Sequence, residues 1–235
     1  MNESINKLKA IFQHGDIELK GQFMLGSNYT FLVKISHAGK EYPAVYKPSK
    51  GEQPLWDFPE SALAQREVAA YIMSEALGFG FVPFTILRDG GPFGPGSLQQ
   101  YIEYNPEYHY FNFIKEDKAL LQPVALFDLL INNADRKGSH IFFENGTHKL
   151  WLIDHGLCFH EEDKLRTVIW DFAGQPIADD LLSHLSSTES WRGILDPYLS
   201  PREIAAMLAR ADTLLSSRVF PRAPEDRRAF PYPPI

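Results

Sequence analysis

The sequence predicts an α+β protein of two lobes, the first rich in antiparallel strands around one central helix and the second mainly helical. Three observations carry that prediction. Apolar and polar residues alternate from Asp16 to Lys47, the period of half-buried strands. Helical spacing takes over at residues 60–77, 115–131 and 201–217, where apolar side chains recur three and four apart. With 235 residues, 44% of them hydrophobic, the chain can bury a sizeable core and is near the upper size that a single core serves.

Taken in order, residues 2–13 place Ile5, Leu8, Ile11 and Phe12 on one helical face ahead of His14-Gly15. The runs IELKGQFML, NYTFLVKI and YPAVYK then form a meander, with turns at Gly26-Ser27-Asn28 and Ala38-Gly39-Lys40. The helix at 60–77 stops at Gly78, and 81–88 and 97–104 read as strands around DGGPFGPG. The long helix at 115–131 leads into the polar loop NNADRKGSH and then into IFF and LWLI, a hairpin joined by Asn145-Gly146. A mixed stretch at 155–175 precedes helical patterns near 178–187 and 201–217. The last fifteen residues hold five prolines and read as an extended tail. The expected division is a first lobe at 1–104, a second at 105–220 and a tail at 221–235.

Composition excludes several function classes. Lys and Arg number 23 against 30 Asp and Glu, a net charge of −7, so no general attraction to nucleic acid or to anionic lipid is expected, nor a stable membrane association. The single cysteine, Cys158, cannot close an internal disulfide and reads as a small core residue. Met1-Asn-Glu-Ser begins no apolar leader, and no stretch approaches the ~18 apolar residues of a membrane span. The expected location is the cytoplasm.

Three residues stand in an order that carries chemistry: Lys47 at a strand end in AVYKP, Asp135 in NNADRKGSH and Asp154 in LIDHG. Each alone has an ordinary reading, as a solvated strand-end charge, a loop ion pair with Arg136, and a turn cap. Together they match what phosphoryl transfer from a nucleotide needs: a cation for the phosphates, one acid to orient an acceptor hydroxyl and another to hold magnesium. Asp154 follows Asp135 by 19 residues, and the hairpin between them returns the chain so that both carboxylates meet. Two like charges held close call for a divalent cation.

AVYKPSKGEQPLWDFP, REVAAYIMSEALGFGFVPFTIL, NNADRKGSHIFF and LWLIDHGLCF resemble the kinase-like fold of the phosphatidylinositol 3-/4-kinase superfamily. The likeness is to type II phosphatidylinositol 4-kinases and HipA-type kinases, and to a bacterial group often labelled phosphatidylinositol kinase-like. The resemblance runs from about Phe23 to Phe172 and implies a two-lobed protein-kinase-like fold binding ATP with magnesium. It implies that Lys47 contacts phosphate, that Glu67 steadies Lys47, that Asp135 is the catalytic-loop acid and that Asp154 binds metal. Gln100, Tyr101, Ile102 and Glu103 fall at the adenine-contacting hinge, and Ser27 and Asn28 lie in the turn that covers the phosphates.

Two departures accompany these matches. The family's metal-binding Asn, five residues after the catalytic-loop acid, is here His140. An imidazole holds magnesium less well than an amide oxygen does; it suits a softer ion such as manganese, or a proton-transfer or phosphate-donor role. His155 stands between Asp154 and Gly156 as either a turn cap or a catalytic group. Trp56-Asp57-Phe58-Pro59 and Ser61 read as a helix entry, and Asp128 as a buried holder of the loop after it. Lys164 and Arg166 fall where an acceptor is chosen, as contacts for an anionic acceptor or as surface charge. The leading expectation is an ATP-dependent phosphotransferase acting on a protein or small-molecule hydroxyl. The alternatives are a nucleotide-binding pseudokinase or partner-binding module, and a nucleotidyl transferase using the same pocket.

Overall fold

The computed structural model describes residues 2–23, 29–52 and 63–235. Ser27, Asn28, the Trp56 to Pro59 stretch and Ser61 lie outside them. The chain divides into two units, one of Met1–Val68 with Pro83–Ile102, the other of Ala69–Val82 with Glu103–Ile235. The chain crosses from the first unit to the second at 102/103. The chain also crosses at 68/69 and 82/83, and the tail groups with the second unit.

In the first unit α1 (Asn2–His14) precedes β1 (Asp16–Phe23), β2 (Thr30–His37) and β3 (Lys40–Pro48), followed by α2 (Leu63–Ala76), β4 (Thr85–Arg88) and β5 (Gly96–Gln100). The five strands form one antiparallel sheet in the order β1-β2-β3-β5-β4. The alternation seen in the sequence puts Phe31, Val33 and Ile35 of β2 and Ala44 and Tyr46 of β3 inside. Phe12 from α1 is fully buried and meets Phe84 edge-on at 5.3 Å. Arg88 Nη1 donates to the Phe12 carbonyl at 2.9 Å, fastening that helix to β4. The turn before β5 closes on Tyr46, whose hydroxyl donates to the Gly94 carbonyl at 2.6 Å. A side chain on Gly91 would stand 2.7 Å from the same ring. The strands around this turn are shorter than expected: β4 begins at Thr85 and β5 ends at Gln100.

The second unit contains the later part of α2, then α3 (Lys115–Ala119), α4 (Gln122–Ile131), β6 (Ile141–Phe143), β7 (Leu150–Leu152), α5 (Asp179–Ser183), α6 (Thr188–Leu195) and α7 (Pro201–Ser217). The single helix expected at 115–131 is two. Pro123 has no N–H to continue a helix from α3, and Leu120 and Leu121 instead donate three residues back, to Asp117 and Lys118. The pattern near 178–187 forms the short α5 and then turns. α6 was not anticipated: its Trp191 and Leu195 are fully buried four residues apart, with Gly193 between them. α7 starts on a reciprocal cap, in which the Ser200 hydroxyl accepts from the Glu203 N–H and the Glu203 carboxylate accepts from the Ser200 N–H. Ala69, Ala70 and Met73 from α2, with Leu77 just after it, join α4, α6 and α7 in one apolar core, where Cys158 is fully buried. Among the described residues no helix is long and apolar enough to cross a membrane.

Candidate active site

β3 pairs Lys47 with Ser97 of β5 and turns its side chain to Glu67 on α2, with which it forms an ion pair. Glu67 is almost sealed, its side chain 3% exposed, whereas Lys47 keeps 21%. A second acid, not picked out from the sequence, supports the same helix. Glu52 accepts from the Leu63 N–H at 3.4 Å and the Ala64 N–H at 3.1 Å, taking up donors at the start of α2. Burial pushes the Glu52 carboxyl above its usual range, and those two N–H groups oppose the rise. Gln100 closes β5 and its N–H donates to the Phe84 carbonyl at 2.8 Å, while the Tyr101 N–H donates to Pro43 at 3.2 Å. Ile102 is buried, and the Glu103 carbonyl accepts from the Asn145 N–H of the second unit's hairpin at 2.9 Å. The expected hinge is therefore a stretch tied through its backbone.

In the second unit α4 ends at Asn132 with φ 54°, a left-handed cap that asparagine tolerates. Its side-chain amide donates to the His160 and Glu162 carbonyls at 3.0 and 2.7 Å, and its oxygen accepts from the Lys164 N–H at 3.0 Å. The loop that follows is built on Arg136, which is fully buried. Its Nε donates to both oxygens of the fully buried Asp128, at 3.1 and 3.0 Å, and Nη2 reaches Oδ1 at 2.9 Å. Nη1 donates to the Ile153 carbonyl at 3.0 Å and to the His140 carbonyl at 3.4 Å. Nη2 also meets His155 Nε2 at 2.8 Å. A guanidinium only donates, so that ring nitrogen accepts. Asn133 Nδ2 donates to Asp128 as well, at 3.2 Å. One buried cation thus gathers His140 itself, Ile153 before Asp154 and His155 after it. Asp128 holds the loop as expected, and His155 serves as a buried partner of Arg136.

The hairpin of β6 and β7 pairs Ile141 with Leu152, and the Ile153 N–H donates to the His140 carbonyl at 3.1 Å. This register brings His140 Nε2 to 3.3 Å from Asp154 Oδ2. Asp154 has φ 63°, a left-handed backbone that side-chain-bearing residues adopt at a cost and that gathers at functional sites. Asp135 sits in a turn where its N–H donates to Asn133 Oδ1 at 3.0 Å, and Lys137 Nζ lies 3.2 Å from its Oδ2. Burial pushes the Asp135 carboxyl up to about 6; Lys137 and Arg166 oppose the rise and the nearby Asp154 charge adds to it. That leaves a carboxylate able to accept a proton near neutral pH.

Asp154 and His140 form a mixed oxygen and nitrogen donor pair, which suits a divalent ion softer than magnesium, such as manganese. Among the described residues no group of three or more His, Cys, Asp and Glu side chains gathers as an all-protein cage. The pair is a partial donor set of the kind that phosphate oxygens and water can complete around a divalent ion.

The chain matches no protein-family model. It is 36% identical over 264 aligned positions to Protein Rv2133c of Mycobacterium tuberculosis, an alignment covering 95% of this chain and 94% of that one. The chain belongs to the Rv2133c family. A second relative of this family member, phosphatidylinositol 4-kinase gamma 4 of Oryza sativa subsp. japonica, is 28% identical over 151 residues, 56% of this chain and 27% of that protein. Two solved structures share the fold. The Helicobacter pylori proinflammatory kinase CtkA superposes with a TM-score of 0.57 at 14% identity, covering 89% of this chain and 94% of that one. The Golgi casein kinase with Mn/ADP bound gives 0.58 at 13%, covering 92% and 75%. The fold of this Rv2133c-family chain is thus kinase-like, with two lobes.

Proposed function

We propose that this chain is an ATP-dependent phosphotransferase of the phosphatidylinositol 3-/4-kinase-like superfamily, acting in the cytoplasm on a protein or small-molecule hydroxyl. The reading rests above all on Asp135, His140 and Asp154, which occupy one side-chain cluster organised by a buried arginine. The partial sequence likeness to a phosphatidylinositol 4-kinase and the shared fold with a kinase that holds Mn/ADP support it. In this reading Asp154 and His140 hold the divalent ion, magnesium or manganese, which draws charge from the phosphates. Lys47, steadied by Glu67, donates to a phosphate oxygen. Asp135 orients the acceptor hydroxyl and takes its proton as the terminal phosphoryl group transfers. Gln100, Tyr101, Ile102 and Glu103 are assigned to the adenine-contacting hinge on sequence grounds. Ser27 and Asn28 are assigned to the phosphate-covering turn on sequence grounds.

ATP labelled separately at the γ and α positions tests the proposal, with wild type and Asp135→Asn incubated alone and with cell extract. Label from the γ position moving to protein or metabolite, and its loss in Asp135→Asn with ATP affinity retained, is the expected result. Transfer of α label assigns nucleotidyl transfer instead. His140 in place of the family's asparagine favours a second reading, the nucleotide-binding pseudokinase. Binding without transfer in wild type, with transfer gained in His140→Asn, selects it.

A further inference from the structure

The proline-rich tail does not run free of the second unit. Arg227 Nη1 donates to the Leu165 carbonyl at 3.0 Å, and its Nη2 pairs with Asp163 Oδ2 at 2.5 Å. The Ala229 carbonyl accepts twice, from the Thr167 N–H at 3.1 Å and from Trp170 Nε1 at 3.2 Å. Five residues on, the Pro234 carbonyl accepts from the Gly138 N–H at 2.8 Å. Ala229 and Pro231 are buried.

The stretch so covered is itself bonded to the Asp135 loop on its other side. Arg136 N–H donates to the Arg166 carbonyl at 3.0 Å, Arg166 N–H to Asn133 at 2.9 Å, and Val168 N–H to Arg136 at 3.2 Å. Neighbouring residues thus face opposite ways, as along a strand: Arg166 and Val168 bond the acid-bearing loop and Thr167 bonds the tail. The tail then returns to the loop directly at Gly138, three residues after Asp135. There is no room for a side chain at Gly138, where a Cβ would stand 2.7 Å from the Phe111 ring. Prolines restrict this strap before it docks, which lowers the entropy lost in ordering it.

We infer that residues 227–234 are a positioning element for the transfer reaction: they clamp the loop bearing Asp135, through Thr167 and through Gly138, in the geometry that serves the acceptor. This inference rests on the phosphotransferase reading. The tail touches no reacting atom, so its loss acts on turnover and leaves nucleotide affinity alone.

The test uses the full chain with Ala229→Asp, which places a charge at a buried contact, with Arg227→Ala as the milder change and Ala229→Ser as the conservative control. Two quantities are read: amide hydrogen exchange at Thr167 and Gly138, and label transfer separated into kcat and the KM for ATP. The expected result in Ala229→Asp is exchange faster at both amides and kcat lower, each by on the order of tenfold, with KM for ATP within about twofold of wild type. Arg227→Ala should move both the same way by less, and Ala229→Ser should match wild type. Unchanged exchange at Gly138 overturns the inference, as does unchanged kcat. Faster transfer in Ala229→Asp also overturns it and makes the tail an obstacle to the acceptor. If wild type transfers no label, the phosphotransferase reading fails, and the clamp stands or falls on amide exchange at Thr167 and Gly138.

Discussion

Two ion pairs, one in each unit, differ in how far they are withdrawn from water. Arg136 and Asp128 are sealed, with side chains 0% and 1% exposed, and every contact described for them holds backbone or side chain of the same unit. In the pair of Lys47 and Glu67 only the acid is sealed. Lys47, Asp135 and Asp154 retain 21%, 25% and 50% exposure. In the proposed reading the difference separates charges that hold from charges that meet a ligand. A sealed ion offsets its desolvation cost through fixed partners, whereas a charge that must reach phosphate or a hydroxyl keeps an open side.

Removing a holding charge tests that distinction most severely. Arg136→Met leaves Asp128 buried without its main counter-charge and should cost about 3–5 kcal/mol in denaturant unfolding. Adding Asp128→Leu should recover part of the loss, since an apolar pair needs no such compensation. Lys47→Met should act on function first: calorimetry should show ATP affinity down by roughly tenfold or more, the worth of a charged hydrogen bond, with a smaller fall in stability than Arg136→Met produces. A larger fall would break the comparison.

Asp135 sharpens it through pH. With its carboxyl at about 6, transfer should decline as pH falls through that value, because the protonated acid cannot take the acceptor's proton. The folded protein binds this proton more tightly than the unfolded chain does, so the group's contribution to stability falls as pH rises from the ordinary 3.8 to about 6. Asp135→Asn should remove that slope in unfolding curves and abolish transfer. The smallest change in stability is expected at Asp154, whose left-handed backbone glycine adopts without strain. Asp154→Gly should gain up to about 1 kcal/mol in stability while losing metal-dependent ATP binding. Asp154→Asn should lose the binding without the gain.

Elements whose signal lies in side-chain period or capping chemistry were legible. β2 and β3 follow from alternation, and α7 from its apolar spacing at 201–217, which the Ser200 and Glu203 cap then bounds. The break before α4 was missed because apolar spacing continues across Leu120 and Leu121, and one proline outweighed it. At the site Lys47, Asp135 and Asp154 stood out by their order, and Glu67 only through the family resemblance. Arg136 read as a loop charge, since arginine is seldom sealed and eight residues separate it from Asp128. Nothing in the tail's composition foretold its docking, because carbonyls of Ala229 and Pro234 make the bonds, and every residue carries one. Glu52 was overlooked for a related reason: its partners are backbone N–H groups at the start of α2.

The path of the chain through the two units bears on how the protein can be taken apart. Ala69 to Val82 is assigned to the second unit although it precedes Pro83–Ile102 of the first, and it supplies Ala69, Ala70, Met73, Leu77 and Val82 to the second unit's core. A gene cut at 102/103 would express a downstream fragment lacking all five of those apolar side chains and an upstream fragment displaying them. Recombinant halves made that way should be insoluble alone and recover structure when co-expressed. A circular permutant that keeps 69–82 joined to the downstream sequence is the better starting point for isolating the Asp135 loop.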